Sequence, residues 1–284
     1  MEIITTMPQE TMDSGSRLIN VISQWSETQG ENINIALLDS GIDYNHIDLC
    51  DRVKGGINFT SDNRENYMDD SGHGTFCAGI IAANKNGIGM VGIAPQANLY
   101  AVKILKDDNT GSILWLKEGL TWCLSNNIHI ISMSIGFKED VPIIRNLVKA
   151  ANNNNIIMVA ASGNDSSRNF VEYPANYEEV IAVSALDPLN QIANFSNTGQ
   201  MIDFSAPGVR IMSTYLNNQY GIMSGTSFAA PHIVGVVALI QSKALKDTGC
   251  TLVLDDLQRE LIKHIVDLGP KGKDSLYGYG SIKF

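Results

Sequence analysis

The stretch Gly225-Thr226-Ser227-Phe228-Ala229-Ala230-Pro231-His232 decides how this chain is interpreted, and an apolar segment over residues 233–240 follows it directly. The apolar segment predicts a buried helix. Ser227 would then lie at the helix N-terminus, where free N–H groups and the helix dipole favour a developing oxyanion. Pro231 would fit within the first turn, where few backbone bonds are lost. A serine becomes a nucleophile only beside a base and an orienting acid, so a simple helix cap is the alternative interpretation.

The composition is that of a globular protein of 284 residues, with 44% hydrophobic and 18% charged residues. This length suits one large domain or two small ones. A formal charge of −10 argues against nucleic-acid binding, which depends on clustered Lys and Arg. Residues 1–30 are acidic and lack a continuous apolar run, and no segment approaches the ~20 apolar residues of a membrane span. We therefore expect a cytoplasmic protein with free cysteines and no membrane partner.

Short apolar strands alternate with amphipathic helices along most of the chain. The expected strands cover residues 33–38, 99–105, 128–133, 156–161 and 180–185. The expected helices cover residues 18–25, 74–83, 113–126 and 142–153. This alternation predicts an α/β fold with a parallel sheet covered by helices. We expect a polar N-terminal arm over residues 1–16, and a single domain over residues 17–284.

An acid, a base and a hydroxyl follow one another along the chain in an order that indicates a catalytic site. Asp39 follows the first predicted strand, at the sheet edge where parallel α/β folds bind ligands, and His73 precedes the small-residue helix. Asp39, His73 and Ser227 give the order acid, base, nucleophile, which is that of subtilisin and not of chymotrypsin or the α/β-hydrolases. A G-x-S-x-G elbow is missing because Ala229 occupies its last position, which counts against an esterase. Asp39 alone would suit a turn and His73 alone a helix cap, but the joint pattern favours catalysis.

Three segments of the chain resemble the signature segments of the subtilisin-like serine proteases, peptidase family S8. They are Asp39-Ser40-Gly41-Ile42-Asp43, His73-Gly74-Thr75 and the stretch over residues 225–232. Further similarity runs through residues 92–95, 132–134, 173–175 and 206–208. The resemblance implies a three-layer subtilisin-like α/β fold, with a central, mostly parallel sheet covered by helices on both faces. Residues 17–284 would form the peptidase domain.

The resemblance also implies a mechanism. His73 would accept the proton of Ser227 as the hydroxyl attacks a peptide carbonyl, and Asp39 would orient the imidazole. Asn164 aligns with the family's oxyanion-hole asparagine, so its amide N–H and the Ser227 backbone N–H would bind the oxyanion. Cys77 lies one helical turn after His73, and we expect it to serve packing and not nucleophilic attack.

The expected partner is a peptide or protein substrate, bound as an extended strand along the site. By resemblance, the segments that bind it are Ser134, Ile135, Gly136 and Phe137, and Ala161, Ser162 and Gly163. Phe137 replaces a common glycine and should narrow the cleft. We expect Glu172, helped by Asp165, to favour a polar or basic side chain in the primary specificity pocket. A solvated loop carboxylate is the alternative for Glu172.

The resemblance further implies structural Ca²⁺ as a cofactor. The first candidate site would use Asp48 and Asn86 with carbonyls of Asn84, Ile88 and Met90, and the second carbonyls of Ala175, Tyr177 and Val180. Oxygen ligands with several carbonyls suit this ion, and ordinary turns are the alternative for both sets. The family's N-terminal glutamine ligand has no clear counterpart in this chain.

The chain is similar in organisation to intracellular subtilisins and to the cytoplasmic leader peptidases of lantibiotic biosynthesis. Two roles follow for one chemistry, namely dedicated processing of a precursor peptide and general protein turnover. A catalytically inactive, peptide-binding relative is the alternative from another class. We also hypothesise that residues 1–12, with Thr6-Met7-Pro8 in an extended conformation, cover the cleft. The sequence gives no indication of the oligomeric state.

Overall fold

The fold is described by a computed structural model that covers residues 2–5 and 9–284. Its helices are α1 (Ser14–Ile19), α2 (His73–Ala82), α3 (Ile113–Ser125), α4 (Pro142–Asn153), α5 (Thr226–Thr248) and α6 (Leu254–Ile262), with a 3-10 turn at Val21–Gln24. Its strands are β1 (Glu2–Ile4), β2 (Asn34–Asp39), β3 (Val53–Asn58), β4 (Asn98–Lys103), β5 (Ile130–Met133), β6 (Ile157–Ala161), β7 (Val180–Leu186), β8 (Ile202–Pro207), β9 (Ile211–Tyr215), β10 (Gln219–Met223), β11 (Ile265–Val266) and β12 (Ser281–Ile282).

The main sheet has the strand order β11-β12-β8-β7-β6-β5-β2-β4-β3 within the described residues. Within this sheet, each neighbouring pair in the order β12-β8-β7-β6-β5-β2-β4-β3 is parallel. The short strand β11 pairs with β12 in the antiparallel direction. Parallel neighbours require crossover connections, and helices supply several of them here. A second, antiparallel sheet has the order β1-β10-β9.

Two hydrophobic cores lie on opposite faces of the main sheet. Along β2, Ile35 and Leu37 point into the core that contains α2 and α5, while Ala36 and Leu38 point into the core that contains α3 and α4. The near-continuous apolar sequence of β2 is explained by this double burial, since successive side chains of a strand point to opposite faces. The predicted three-layer α/β fold is confirmed.

Helix α5 runs through the first of these cores. It is long and apolar enough to satisfy a simple criterion for a membrane span, but 83% of its most apolar window is buried inside the fold. Its apolar composition is therefore explained by its place in the core. The helix begins at Thr226, so Ser227 lies in its first turn as expected.

The N-terminal segment packs against two separate parts of the fold. Strand β1 pairs with β10, and Thr11 exchanges backbone hydrogen bonds of 2.9 Å with Gly89 and Val91. Helix α1 is capped by the Asp13 carboxylate, which also forms a buried pair with His232 at 3.1 Å. Helix α1 crosses the boundary that we expected between residues 16 and 17.

Candidate active site

Asp39 and His73 meet where β2 ends and α2 begins. Asp39 is the last residue of β2 and His73 the first of α2. The Asp39 Oδ1 atom lies 2.7 Å from His73 Nδ1, and it also accepts a 2.7 Å hydrogen bond from the Ser40 backbone N–H. The exposed fraction is 3% for the Asp39 side chain and 18% for the His73 side chain. The pair thus has a buried acid and an imidazole that reaches the surface.

The carboxylate of Asp39 affects both the pKa and the tautomer of the His73 imidazole. Burial of His73 disfavours its protonated form, but attraction and hydrogen bonding to the Asp39 carboxylate outweigh this and raise the pKa of His73 above its usual value. Because the carboxylate accepts the Nδ1 proton, the neutral imidazole keeps its lone pair on Nε2. Nε2 is the atom that a general base needs free.

Ser227 lies at the same cleft as His73. A cleft of about 480 Å³ is lined by both residues together with Ser134, Gly136 and Phe137. Ser227 is half-buried, and the Phe228 ring that follows it lies 5.6 Å from the His73 ring. Helices α2 and α5 therefore bring their N-terminal ends, with His73 and Ser227, to one surface opening.

Pro231 lies in the second turn of α5, which corrects our expectation of a first-turn position. Proline has no N–H, so the Ser227 carbonyl lacks the usual partner four residues later. The Ser134 hydroxyl donates to this carbonyl at 2.8 Å, and the Cys77 thiol approaches it at 3.4 Å. The side chain of Ser134 thereby ties the end of β5 to the start of α5.

Asn164 approaches the same helix end from the loop after β6. Its Oδ1 atom accepts hydrogen bonds from the Thr226 backbone N–H at 2.9 Å and the Thr226 hydroxyl at 3.0 Å. The Nδ2 donor of Asn164 is thus on the opposite side of the amide from these bonds. The Ser227 N–H lies in the first helical turn, where a helix provides no acceptor of its own. The two donors suit an oxyanion.

One part of the cleft lining was predicted and another part was missed. Ser134, Ile135, Gly136 and Phe137 all line the cleft as expected. The missed part of the lining comes from the segment after β4 and the first turn of α3, and its residues are Ile104, Leu105, Asn109, Gly111, Ser112, Ile113 and Leu116. The signal that could have found it is the turn sequence Asp108-Asn109-Thr110-Gly111, which follows a strand at the same sheet edge.

Residues Ala161, Ser162 and Gly163 differ from our expectation. Ala161 is paired within the sheet as the last residue of β6. The Ser162 carbonyl accepts from the Glu172 N–H at 3.0 Å, and the Gly163 carbonyl accepts from the Asn197 N–H at 2.9 Å. These carbonyls are already bonded, so the segment is not the open strand edge for a peptide that we expected.

Glu172 lies between the two predicted binding segments. A Cβ atom added to Gly136 would collide with the Glu172 carboxylate, and one added to Gly163 would lie 2.8 Å from its Cδ atom. The space between these segments is therefore open to the Glu172 side chain only because both positions are glycine. Burial and the nearby Asp165 charge raise the pKa of Glu172, and the Lys138 charge opposes this rise.

Cys77 is buried beneath the Asp39–His73 pair. Its sulfur lies 3.6 Å from the Ser134 hydroxyl. Burial and the negative charge of Asp39 raise the pKa of the Cys77 thiol far above its usual value. A protonated, buried thiol is a poor nucleophile and a poor metal ligand. Cys77 thus serves packing, as expected from the sequence.

The first candidate calcium set is brought together as a hydrogen-bonded network. The buried Asp48 carboxylate accepts from Asn86 Nδ2 at 3.0 Å, from the Met90 N–H at 2.9 Å and from the Tyr220 hydroxyl at 2.8 Å. Asn86 Oδ1 instead accepts from the Ile88 N–H at 3.1 Å. Asn86 thus presents a donor to the carboxylate. This arrangement does not fit the oxygen cage that calcium requires.

The remaining calcium candidates make ordinary local contacts within the protein. Asn84 donates its side-chain amide toward Asp51 at 3.4 Å. In the second set, Ala175, Tyr177 and Val180, the Tyr177 carbonyl accepts the Val180 N–H at 3.1 Å as part of a turn. This second set includes no carboxylate. Tyr177 belongs here to an ordinary turn, and Val180 is the first residue of β7.

The expected cover over the cleft falls partly outside the described residues, because Thr6, Met7 and Pro8 lie there. The described parts of that segment contact other regions, since β1 pairs with β10 and Thr11 pairs with the loop at Gly89. The Glu10 carboxylate accepts from the Gly87 N–H in the same loop at 2.8 Å. These contacts place residues 10 and 11 beside the Asp48 network.

Comparison with known proteins agrees with this geometry. Residues 30–280 match the profile of the subtilase family, peptidase S8. The minor extracellular protease Epr of Bacillus subtilis is 44% identical over 258 residues, which are 90% of this chain and 38% of that protein. Subtilisin E of the same organism is 44% identical over 217 residues, which are 75% of this chain and 56% of that protein.

A third relative is matched over most of its length. The intracellular serine protease of Paenibacillus polymyxa is 38% identical over 266 residues, which are 91% of this chain and 82% of that protein. The chain belongs to the subtilase family, and its class is that of the subtilisin-like serine endopeptidases. Members of this class hydrolyse peptide bonds. The chain nevertheless spans well under half of Epr and little more than half of subtilisin E.

Proposed function

We propose that this chain is a serine endopeptidase in which Ser227, His73 and Asp39 are the nucleophile, the general base and the orienting acid. The 2.7 Å contact between Asp39 Oδ1 and His73 Nδ1, at a cleft that Ser227 shares, is the observation that carries the proposal. The contact fixes the tautomer in which Nε2 accepts a proton, and the buried carboxylate stabilises the imidazolium that then forms.

The reaction proceeds in two halves. Ser227 Oγ bonds to the peptide carbonyl carbon while its proton moves to His73 Nε2, and the carbonyl electron pair moves onto the oxygen. Asn164 Nδ2 and the Ser227 N–H stabilise that oxyanion. The C–N bond then breaks, the leaving amine takes the proton from His73, and an acyl-enzyme remains. Water repeats the sequence and releases the carboxylic acid product.

Hydrolysis of a peptide p-nitroanilide tests this proposal. Removing either the serine or the histidine of a subtilisin triad lowers kcat by roughly 10⁶, so Ser227→Ala and His73→Ala should each lose nearly all activity. Ser26→Ala is the matched control, because Ser26 is exposed and should leave kcat unchanged. If Ser227→Ala retained more than a tenth of the wild-type kcat, the nucleophile would be misassigned. A wild-type chain without activity would favour the inactive, peptide-binding alternative.

For specificity, we infer that Glu172 selects a basic or polar side chain at the residue before the scissile bond. Its carboxylate lies in the gap between Gly136 and Gly163, at the carboxyl ends of β5 and β6. Asp165, the other nearby carboxylate, forms an ion pair with Lys138 at 2.8 Å. Glu172 therefore supplies the negative charge that this ion pair leaves uncompensated. Its half-buried position supports this role over that of a solvated loop carboxylate.

We propose dedicated processing of a precursor peptide as the biological role, of the kind performed by lantibiotic leader peptidases. Phe137 supports a narrowed cleft, because its ring lines the cavity and stacks on Tyr173 at 6.0 Å. Its backbone is held in place by hydrogen bonds of 2.8 and 2.9 Å to Tyr173. General protein turnover is the second candidate, supported by the similarity to the P. polymyxa intracellular serine protease.

Digestion of denatured casein beside a peptide library separates the two roles. Processing predicts slow casein cleavage and a few strongly preferred peptides. Phe137→Gly should then raise casein hydrolysis several-fold more than hydrolysis of a small anilide, while Phe59→Gly controls for loss of an aromatic residue outside the cleft lining. Rapid casein hydrolysis at many sites by the wild-type chain would favour turnover.

We propose a cytoplasmic location, supported by the relative named as intracellular and by four free cysteines, two of which are exposed. Detection of the protein in cell lysate and not in culture medium tests this.

We also propose that calcium, which the family resemblance implies, contributes little to stability in this chain. The support is that the Asp48 carboxylate already accepts from three protein donors.

A further inference from the structure

A fully buried asparagine organises the loop that carries Asn164. Asn197 lies between β7 and β8, far from Asn164 in the sequence, and its side chain is 0% exposed. Its Oδ1 atom accepts hydrogen bonds from the Asp165 N–H at 3.0 Å and the Ser167 N–H at 2.9 Å. Its backbone carbonyl accepts the Ser162 hydroxyl at 2.9 Å. One residue thus contacts the loop at several points.

These contacts hold both peptide units that flank Asn164. The Asn197 backbone N–H donates to the Gly163 carbonyl at 2.9 Å, which fixes the peptide unit before Asn164. Asn197 Oδ1 holds the Asp165 N–H, which fixes the peptide unit after it. With both planar units held, the backbone dihedrals of Asn164 are restrained, and so is the direction in which its side chain leaves the backbone.

The close approach of Asn197 to this loop also depends on Gly163. Gly163 has a φ of +104°, and a Cβ atom there would collide with Asn197 Nδ2. Two N–H donors on Oδ1 set the orientation of the amide, and Nδ2 then has no partner among the described residues. An unpaired buried donor is unfavourable for folding. The two hydrogen bonds that Asn197 Oδ1 accepts from the loop explain why an amide is nevertheless present at this position.

We propose that Asn197 is a positioning residue for the oxyanion donor Asn164. This inference rests on the proposed function, in which Asn164 Nδ2 binds the oxyanion. Asn164 is anchored at its tip by Thr226 and at its backbone by Asn197, so its donor points at one place before substrate arrives. Preorganised donors stabilise a transition state without reorganising during the reaction. A donor that points in the wrong direction should therefore lower kcat more than it weakens binding of the substrate in its ground state.

A double-mutant cycle tests this role on the full chain. Losing the oxyanion asparagine costs about 10²–10³ in kcat in this family, and Asn164→Ala should show that loss. Asn197→Ala should lower kcat about 10-fold or more with KM changed less than about 3-fold, because the interaction develops in the transition state. In the Asn164→Ala background the same substitution should change kcat less than about 3-fold, since its target is gone.

The control is Asn58→Ala, because Asn58 is also buried and its Oδ1 accepts the Thr60 N–H at 2.8 Å where β3 ends, with no contact to the Asn164 loop among its hydrogen bonds. It should lower the melting temperature and leave kcat unchanged. If Asn197→Ala does not fold, Asn197→Ser serves instead, since it keeps the backbone contacts with a shorter side chain. An equal loss of kcat in both backgrounds, or no loss in wild type, would overturn the positioning role. An Asn164→Ala variant with unchanged kcat would instead overturn the oxyanion assignment.

Discussion

Replacing Glu172 by glutamine removes one negative charge from the space between Gly136 and Gly163 and keeps the size of the side chain. Because those glycines leave room for the carboxylate, an amide of the same shape should fit without moving either segment. We expect Glu172→Gln to lower kcat/KM for substrates with arginine before the scissile bond. Substrates with leucine there should be cleaved at least as well as by the wild type.

The size of the effect follows from the partial burial of Glu172. Two unit charges about 4 Å apart attract by ~1 kcal/mol in water and ~4 kcal/mol at an effective dielectric constant of 20. A half-buried group lies between these limits, so about 2 kcal/mol is a reasonable value, which corresponds to roughly 30-fold in kcat/KM. Burial and Asp165 raise the pKa of Glu172, so the preference for arginine should strengthen as pH rises through that raised pKa and the carboxylate ionises.

Tetrapeptide anilides that differ only in the residue before the scissile bond provide the assay. The ratio of kcat/KM for arginine to that for leucine should fall roughly 30-fold in Glu172→Gln. Glu178→Gln is the control, because Glu178 is exposed on the same loop and should leave the ratio unchanged. A ratio that changes less than twofold in Glu172→Gln, or a wild-type chain that strongly prefers leucine, would refute the electrostatic reasoning.

Three further predictions concern the triad, its support and calcium. Asp39→Asn removes the charge that raises the pKa of His73 and leaves the burial that lowers it, so the acidic limb of the pH–rate profile should move to lower pH. Its kcat should also fall by roughly 10⁴, and an unmoved limb would contradict this coupling. Ser134→Ala should cost about 1–2 kcal/mol in urea unfolding, because Pro231 cannot replace the lost donor to the Ser227 carbonyl; an unchanged midpoint would count against it. Chelation with EDTA should lower the Tm by less than about 4 °C. A calcium ion bound at 100 times its Kd would add about 2.7 kcal/mol to the free energy of unfolding, so its removal would lower the Tm by more than that.

Much of the fold was predictable because its elements have strong local signals. Helix α4 has the predicted bounds, and α3 ends within one residue of them, since each has a clear start signal in Pro142 or Ser112. The Asp39–His73 contact was predictable from chemistry and order alone. Parallel sheets bring strand ends to one edge, so residues at those ends converge without any knowledge of the loops.

The missed features depend on contacts between distant segments. Strand β3 contains Gly55 and Gly56 and lies at the sheet edge, so its sequence carries no strand periodicity. The missed part of the cleft lining includes a polar turn over residues 106–112 and the apolar residues on either side of it, and the sequence of the turn predicts only a surface loop. Asn197 was missed because nothing in its local sequence shows that it bonds to the Asn164 loop. The position of Pro231 was misjudged because helix α5 already begins at Thr226, five residues before the proline, which puts Pro231 in the second turn.

Covalent labelling with a fluorophosphonate, mapped by mass spectrometry, tests the central assignment most directly. The reagent phosphorylates a serine only where a base accepts the hydroxyl proton and an oxyanion site receives the phosphoryl oxygen. We predict one modification, on Ser227, that is abolished in Ser227→Ala and at least about 100-fold slower in His73→Ala. Labelling of another residue, or equal labelling rates in the wild type and His73→Ala, would contradict the account.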